Sequence, residues 1–444
     1  MIRIRFALFA CGAMVALGAL PAGSAAEKPA AGDDLFAQAD RMLEKVSDVM
    51  QLEVKHPVRK EMTTREAVQA YLHRQLDRQR PGSKLEDLGE ALTVLGLLPA
   101  DYDLAEGVVA LLSDQVAGFY DPEKSIFYVA DWLPDSLRLP TMAHELAHAL
   151  QDQHYDLERL LQPTPGEQDA DMAFQAVVEG QGVAVMTQVL VEPMGLSLEQ
   201  VAGMMQALGD PAGMLSASEA MGVDTAALRK SPPFLLSSLM FPYTEGMQFF
   251  LAFLKERSWE EAGVLFRDTP ASTEEILHPE KYLHGRDLPQ PVEAEAMEAA
   301  LPPGWQVFFR ERLGEFTTRE MLGVQLGDEQ AAAAAAGWDG DRTLIARSPD
   351  GKRKVLLQRS VWDSEKDAVE YFRAWVEMAR SRHPDASPLE FTKDQVAGWS
   401  TADGGVRIWR DGVEVGVVEG APSSMWTQLF DEQAGGSGAP ENRR

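Results

Sequence analysis

Apolar residues recur every three or four positions along most of the chain up to residue 256. This spacing is typical of amphipathic helices, because it places the apolar side chains on one face. It predicts helices over residues 34–50, 63–77, 85–97, 168–190, 198–208 and 232–256. Helix breaks are predicted at Pro232 and Pro242, and residues 52–60 have β character. Residues 115–130 predict a β-hairpin whose turn is Asp121-Pro-Glu-Lys124.

The pattern changes after residues 289–304, a Pro- and Glu-rich stretch that predicts a domain boundary. Beyond it the sequence predicts helices over 305–322, 328–336 and 364–380, the second of which ends at Gly337. Strands are predicted over 343–347, 354–359, 405–409 and 413–418. Residues 338–342 are interpreted as a turn in which Asp341 pairs with Arg342, since they lack the ligand spacing of a calcium loop. These elements predict an α+β module with an antiparallel sheet.

The N-terminus has the composition of a secretory signal peptide. A basic start, Met1-Ile-Arg-Ile-Arg5, precedes an apolar run over residues 6–20 and small residues up to Ala26. We expect cleavage after Ala26, a linker over 27–33, and a periplasmic or secreted mature protein without a membrane span. The one cysteine, Cys11, lies in the apolar run. Disulfides are therefore not expected in the mature chain, and its metal ligands should be nitrogen or oxygen atoms.

Length and charge limit the classes of function. The chain has 444 residues and a formal net charge of −28. This length suffices for two domains, and the charge argues against nucleic acid as a partner, because phosphate binding needs clustered Lys and Arg. We predict an α+β fold with a mostly helical domain and small hairpin or sheet at 34–295. A smaller α+β domain at 300–430 and a disordered tail at 431–444 follow.

The clearest chemical signal is the pattern H-E-x-x-H, formed by His144, Glu145 and His148. Residues four apart lie about 40° apart around a helix axis, so both imidazoles can bind one metal ion. Glu145 is one step further round, where its carboxylate can reach a metal-bound water. Met142 and Leu146 are apolar on the other faces, so the helix would bury its back and turn its histidines to a cleft. This arrangement is typical of a zinc peptidase.

A catalytic zinc site needs a third protein ligand, for which the sequence offers several candidates. Glu179 lies in an Ala- and Val-rich predicted helix, where a carboxylate is costly unless it is paired or binds a metal. We therefore rank it first. Glu167 has a spacing that some gluzincins use, but at a predicted helix start an acidic residue also favours the helix dipole. Asp171 fits better as an acceptor that orients an imidazole.

His154 is the remaining candidate, because it completes the metzincin spacing H-E-x-x-H-x-x-x-x-x-H. That geometry requires the helix to turn sharply after His148, usually at a glycine, and this chain has Gln151 at that position. If the helix continues, His154 lies about 240° round from His148 and cannot reach the metal.

Six motifs resemble those of a family of uncharacterised exported bacterial and archaeal proteins that are taken as gluzincin-type zinc metallopeptidases. The motifs are Gly118-Phe-Tyr-Asp-Pro122, His144-Glu-Leu-Ala-His-Ala-Leu-Gln-Asp-Gln-His154, Val178-Glu-Gly180, Phe241-Pro-Tyr-Thr-Glu-Gly246, Ser272-Thr-Glu-Glu-Ile-Leu-His-Pro-Glu-Lys-Tyr282 and Gly337-Trp-Asp-Gly-Asp-Arg342. They span nearly the whole mature chain. The resemblance implies a zinc hydrolase fold, zincin-like and of the gluzincin type, with Glu179 as the third ligand. Within these motifs, Tyr243, His278 and Tyr282 are candidate donors to an oxyanion.

These predictions describe a Zn²⁺-dependent metallopeptidase that cleaves peptide or protein substrates. His144, His148 and Glu179 would hold Zn²⁺, which lowers the pKa of its water to about 7. Glu145 would accept the proton as the water attacks the peptide carbonyl. The alternative is a catalytically inactive zincin scaffold that binds a partner in cell-envelope assembly. Hydrolysis lost in Glu145→Gln with zinc retained favours the enzyme, whereas unchanged partner affinity favours the binding protein.

Overall fold

The computed structural model describes residues 8–11, 32–78, 84–113, 116–133, 135–201, 203, 229–388, 395–401, 404–422 and 425. Its fold is α+β, as predicted. The predicted tail at 431–444, most of the linker at 27–33 and most of the predicted helix at 198–208 lie outside the described residues.

The chain divides into two compact units. The first contains Met1–Gly89, Leu98–Thr164 and Ala170–Arg286, and the second contains Glu90–Leu97, Pro165–Asp169 and Asp287–Arg444. The longest segment of the second unit therefore begins at Asp287, before the boundary predicted between 295 and 300. The reason is that Ala294 and Met297 pack into the core of the second unit.

Helices predominate in the first unit. The described helices that lie wholly or mainly in it are α1 Gly32–Met50, α2 Arg65–Arg78, α3 Lys84–Val94, α4 Leu104–Ser113, α5 Asp135–Tyr155, α6 Leu157–Leu160, α7 Gln168–Val191, α8 Pro233–Glu256, α9 Thr273–Leu277 and α10 Pro279–Leu283, with 3₁₀ turns at Glu192–Met194 and Glu260–Phe266. The last part of α3, from Glu90, and the first two residues of α7 belong to the second unit. Its described strands are β1 Leu8–Cys11, β2 Arg59–Thr63, β3 Val116–Asp121 and β4 Ile126–Ala130.

The small sheet has the order β1-β3-β4-β2. Strands β3 and β4 form the predicted hairpin, in which Tyr120 lies opposite Phe127. Strand β2 is parallel to β4, and β1 is antiparallel to β3. The strand predicted over 52–60 begins only at Arg59, because the preceding backbone is held by the end of α5 instead: the Gln153 side chain accepts from Lys55 N at 2.9 Å.

The core of the first unit lies between α1, the sheet, α5, α7 and α8. Buried apolar side chains from each of these elements form one cluster, which includes Val46, Phe127, Leu146, Met186 and Met247. Each such side chain contributes about 1.5–3 kcal/mol on burial. Because α5 lies in the middle of this cluster, its residues Thr141 to Gln151 are buried without interruption.

Helix α8 is continuous through Pro242, so the predicted break at this residue is wrong. A proline inside a helix removes one hydrogen bond and costs about 3 kcal/mol. Met240, Phe241 and Met247, on either side of it, are buried in the core. Their burial outweighs the loss, since each contributes about 1.5–3 kcal/mol.

Residues Gln168–Met194, which comprise α7 and the 3₁₀ turn after it, are long and apolar enough to cross a membrane by length and composition. Within the protein, 83% of their most apolar window is buried. The apolar composition of this segment is therefore accounted for by its packing in the core of the protein.

The second unit contains an antiparallel sheet with the order β5-β6-β7-β11-β10-β9-β8 among its described strands. The strands are β5 Gln306–Glu311, β6 Trp338–Arg347, β7 Lys354–Trp362, β8 Ser387–Pro388, β9 Val396–Thr401, β10 Gly404–Asp411 and β11 Glu414–Ala421. The helices are α11 Glu295–Ala299, α12 Gly314–Leu326, α13 Asp328–Ala335 and α14 Glu365–Arg382. The predicted α+β module with an antiparallel sheet is thus confirmed.

Two predictions in this unit are wrong. The start of the predicted helix 305–322 is strand β5, whose buried Phe309 pairs with Ile345 of β6. Aromatic and β-branched residues favour a strand here. The predicted turn at 338–342 lies within β6, and Asp341 accepts hydrogen bonds from Leu313 N and Gly314 N, both at 3.0 Å. Arg342 instead donates to the backbone carbonyl of Gly166 at 2.6 Å and pairs with Glu167 at 3.1 Å.

Candidate metal centre

Helix α5 carries His144, Glu145 and His148. The helix is continuous from Asp135 to Tyr155, so the two histidines lie one turn apart on one face, as the motif predicts. Their ring centroids are 4.4 Å apart. All three side chains are fully buried, because neighbouring helices and the hairpin cover them, so the prediction that the two histidines are exposed to a cleft is wrong for this structure.

Helix α7 brings a carboxylate to the two imidazoles. The Oε2 atom of Glu179 lies 3.0 Å from His144 Nε2 and 3.3 Å from His148 Nε2. The two Nε2 atoms are 2.8 Å apart, and Glu179 is also fully buried. These three residues form a group able to hold a metal ion. The structure therefore brings together the three residues that the sequence ranked first as candidate metal ligands.

Glycines in α7 allow this close approach. A Cβ atom at Gly182 would lie 2.8 Å from His144 Cε1 and 3.1 Å from His148 Cε1, so a larger residue would press on both rings. A Cβ atom at Gly180 would lie 2.1 Å from the carbonyl carbon of Gly246 in α8. Helices α5 and α8 thus pack closely against α7 next to the position of Glu179.

The arrangement of the three donor atoms fits a divalent metal ion. In a tetrahedral zinc site with bonds of about 2.0–2.1 Å, donor atoms are about 3.3 Å apart. The corresponding separations here are 2.8, 3.0 and 3.3 Å. The second carboxylate oxygen, Glu179 Oε1, is buried without a hydrogen-bond partner among the described residues. Buried polar atoms nearly always have a partner, and a bound cation would compensate this carboxylate.

The protonation states of the ligands also suit a metal ion. Burial lowers the pKa of His144 to about 4, and the charge of His148 acts in the same direction. Burial by itself would raise the pKa of Glu179, but the charge of His148 and hydrogen bonds to both histidines outweigh it and hold this pKa at about 2. A neutral imidazole and an ionised carboxylate are the forms that bind metals.

Glu145 is held beside the ligands by the hairpin. Its Oε2 atom accepts a hydrogen bond from the backbone N–H of Tyr120 at 2.7 Å. The Tyr120 hydroxyl donates to Asp152 Oδ2 at 2.7 Å, and burial raises the pKa of this hydroxyl, which keeps it a donor. Asp152 Oδ1 accepts from Leu157 N at 2.9 Å. Strand β3 and the end of α5 thus fix the orientation of the Glu145 carboxylate.

Two residues of α5 that help to orient the site, one directly and one through Tyr120, were missed by sequence reasoning. Gln151 lies 2.8 Å from His148 through its Oε1 atom, and Asp152 holds Tyr120 as described above. Both follow His148 by three or four positions, which is where a helix returns to the same face. This spacing was the signal available in the sequence.

The other candidate ligands lie elsewhere. Because α5 continues through Tyr155, His154 Nε2 reaches the backbone carbonyl of Glu53 at 2.8 Å, so the metzincin alternative is wrong. Glu167 pairs with Arg312 at 2.7 Å and with Arg342 at 3.1 Å in the second unit. Asp171 accepts from the backbone N–H of Thr164 at 3.0 Å, which ties the loop before α7 to the first turn of that helix.

The three predicted oxyanion donors have different surroundings. Tyr243 in α8 is buried, and its ring centroid lies 6.1 Å from that of His144. The Tyr282 hydroxyl donates to the backbone carbonyl of Asp268 at 2.7 Å, and burial raises its pKa to about 12. His278 links α9 to α10, and its backbone N–H donates to Glu274 O at 2.8 Å. Tyr243 is thus the candidate with a described contact to a ligand residue.

Comparison with known proteins concerns the second unit. Residues 306–429 match the model of a family described as "Domain of unknown function (DUF8575)". The match falls within the C-terminal domain predicted over 300–430. No curated protein and no solved structure matches the chain. The candidate metal centre lies outside the matched residues, so its function has to be inferred from its own geometry.

Proposed function

We propose that this protein is an exported zinc-dependent metallopeptidase of the gluzincin type, acting on peptide or protein substrates. The observation that carries the proposal is the convergence of His144 Nε2, His148 Nε2 and Glu179 Oε2 in a buried site. Three protein ligands leave one coordination position for water or substrate, which is typical of catalytic zinc, whereas structural zinc has four protein ligands.

Each residue has its own task in this proposal. His144, His148 and Glu179 would hold the zinc ion. When bound, zinc supplies Lewis acidity that lowers the pKa of water and polarises a carbonyl group. Glu145, oriented by the backbone N–H of Tyr120, accepts the proton of the attacking water and passes it to the leaving amine. Tyr243 is the residue we assign to stabilise the oxyanion, because it packs next to His144.

Strand β3 supports the choice of a peptide as substrate. One edge of β3 pairs with β4, and the other edge pairs with β1, Leu8–Cys11. Strand β1 belongs to the segment that we expect to be removed after Ala26. Its removal would free the backbone groups of β3 beside Glu145, and an extended peptide could pair with them. We therefore expect the protein that begins at Glu27 to cleave casein faster than the full chain.

The proposal is tested by metal analysis combined with turnover. We expect one zinc ion per chain in the purified protein and hydrolysis of denatured casein or of a quenched-fluorescent peptide library. Glu145→Gln should abolish hydrolysis and retain zinc, because this residue moves the proton and does not bind the metal. The matched control is Glu44→Gln, at an exposed position of α1, which should change neither property.

The possible results separate the two classes of function. A protein without zinc, or with zinc that Glu179→Ala does not weaken, contradicts the proposed ligand set. Stoichiometric zinc without hydrolysis of either substrate favours the alternative of an inactive scaffold that binds a partner.

A further inference from the structure

Gln151 is a fully buried amide whose two ends contact different groups. Its Oε1 atom lies 2.8 Å from His148 Nδ1. Its Nε2 atom donates to the backbone carbonyl of Val178 at 3.1 Å and to Gln181 Oε1 at 2.8 Å. The side chain therefore links the second histidine of α5 to the backbone of α7, one residue before Glu179.

The Val178 carbonyl determines which way the Gln151 amide points. A carbonyl oxygen only accepts hydrogen bonds, so the Gln151 atom facing it must be the NH₂ group. The amide oxygen then faces His148 Nδ1, and an amide oxygen also only accepts. His148 Nδ1 must therefore carry the proton that fills this hydrogen bond. In a neutral imidazole protonated on Nδ1, the lone pair is on Nε2.

We propose that Gln151 is a positioning residue that fixes the His148 tautomer and so directs the Nε2 lone pair to the metal ion. This inference rests on the proposed function and deepens it. Without the hydrogen bond, the imidazole can carry its proton on Nε2, 2.8 Å from His144 Nε2, where the proton blocks coordination. Outer hydrogen-bond partners of this kind typically change metal affinity about 10–100-fold.

Two substitutions separate tautomer control from simple bridging of the helices. Gln151→Met has a similar length and removes both the acceptor for His148 and the donor to Val178. We expect it to raise the zinc dissociation constant about 10–100-fold. Gln151→Glu retains an acceptor for His148 Nδ1–H and loses the donor to the Val178 carbonyl. This variant should therefore keep most of the wild-type zinc affinity that Gln151→Met loses. If Gln151 only bridged α5 to α7, both variants would lose affinity equally, and this result would overturn the inference.

Gln153, two residues further along α5, provides a matched control. Its side chain makes hydrogen bonds to Lys55 N and His56 O, both at 2.9 Å, and not to a ligand. Gln153→Met should therefore lower the melting temperature without changing the zinc affinity. Zinc affinities are measured by competition with a chromophoric chelator on the full chain.

A second measurement does not depend on zinc. Two-bond ¹⁵N–¹H correlation spectra of the zinc-free full chain, with labelled histidine, report which nitrogen of His148 carries the proton. We expect Nδ1–H in the wild type and a tautomer mixture in Gln151→Met. An Nε2–H tautomer in the wild type refutes the inference. Absence of zinc binding together with Nδ1–H in the wild type refutes the proposed function and leaves the tautomer assignment standing.

Discussion

Gly182→Ala tests whether the close approach of α7 to the two histidines sets the geometry of the proposed metal centre. The added Cβ atom would lie 2.8 Å from His144 Cε1, 3.0 Å from His144 Nδ1 and 3.1 Å from His148 Cε1. Carbon atoms in contact are normally about 3.5–4.0 Å apart. One or both rings must therefore move by about 0.4–0.7 Å, since each contact distance has to return at least to the lower end of this range.

This movement is large compared with what a zinc site tolerates. Metal–ligand distances stay within about 0.2 Å of their ordinary values in a functional site. We expect the zinc dissociation constant to rise at least about tenfold. This is the lower end of the effect of removing a hydrogen-bond partner that orients a metal ligand. In the zinc-free protein, the substitution should change the free energy of unfolding through two opposing contributions. Overpacking costs about 1–3 kcal/mol, and alanine in a helix regains about 1 kcal/mol relative to glycine, which leaves a net loss of about 0–2 kcal/mol.

The assay compares zinc affinity and urea unfolding of Gly182→Ala with those of Gly323→Ala. Gly323 lies inside α12, and a Cβ atom there would meet Ala331 Cβ at an ordinary 3.7 Å. This control should gain about 0.5–1 kcal/mol of stability and keep its zinc affinity. Wild-type zinc affinity in Gly182→Ala would show that the rings adapt freely and that the glycine is not required for the site.

Three further predictions concern catalysis, acid stability and the second unit. Tyr243→Phe should lower kcat about 10²–10³-fold with zinc affinity unchanged, as loss of an oxyanion donor does; an unchanged kcat contradicts the role. The zinc-free protein should lose thermal stability as pH falls from 6.5 towards 4, because burial holds the pKa of His144 at about 4 and only the unfolded chain binds that proton readily; a melting temperature that is flat over this range contradicts this. Asp341→Ala should cost at least about 2 kcal/mol in urea unfolding, because it leaves Leu313 N and Gly314 N buried without their acceptor; a change below about 0.5 kcal/mol contradicts this.

Local periodicity predicted much of the fold. Helix α1, helix α7 and the β3–β4 hairpin lie where the sequence pattern placed them. Helix α1 buries one face, whereas α7 and the described part of the hairpin are buried along nearly their whole length. Strand β5 was predicted as a helix since its pattern of Val307, Phe308 and Phe309 is short, and short apolar runs do not distinguish helix from strand. Residues 306–311 form a strand because they pair with β6. This pairing involves residues distant in the chain, so the local sequence of β5 does not reveal it.

The chemistry of the site was predictable where burial of a charge leaves few options. A carboxylate in a helix of alanine and valine is unfavourable unless a partner compensates it, and Glu179 does meet two imidazoles. For Gln151 the sequence offered only its spacing from His148, which is a weaker signal because an uncharged amide is tolerated in many places on a helix. Its importance depends on the Val178 carbonyl, which belongs to another helix and fixes which end of the amide faces His148. Helical spacing therefore indicates which side chains share a face, whereas the proton positions that make an imidazole a ligand depend on packing between helices.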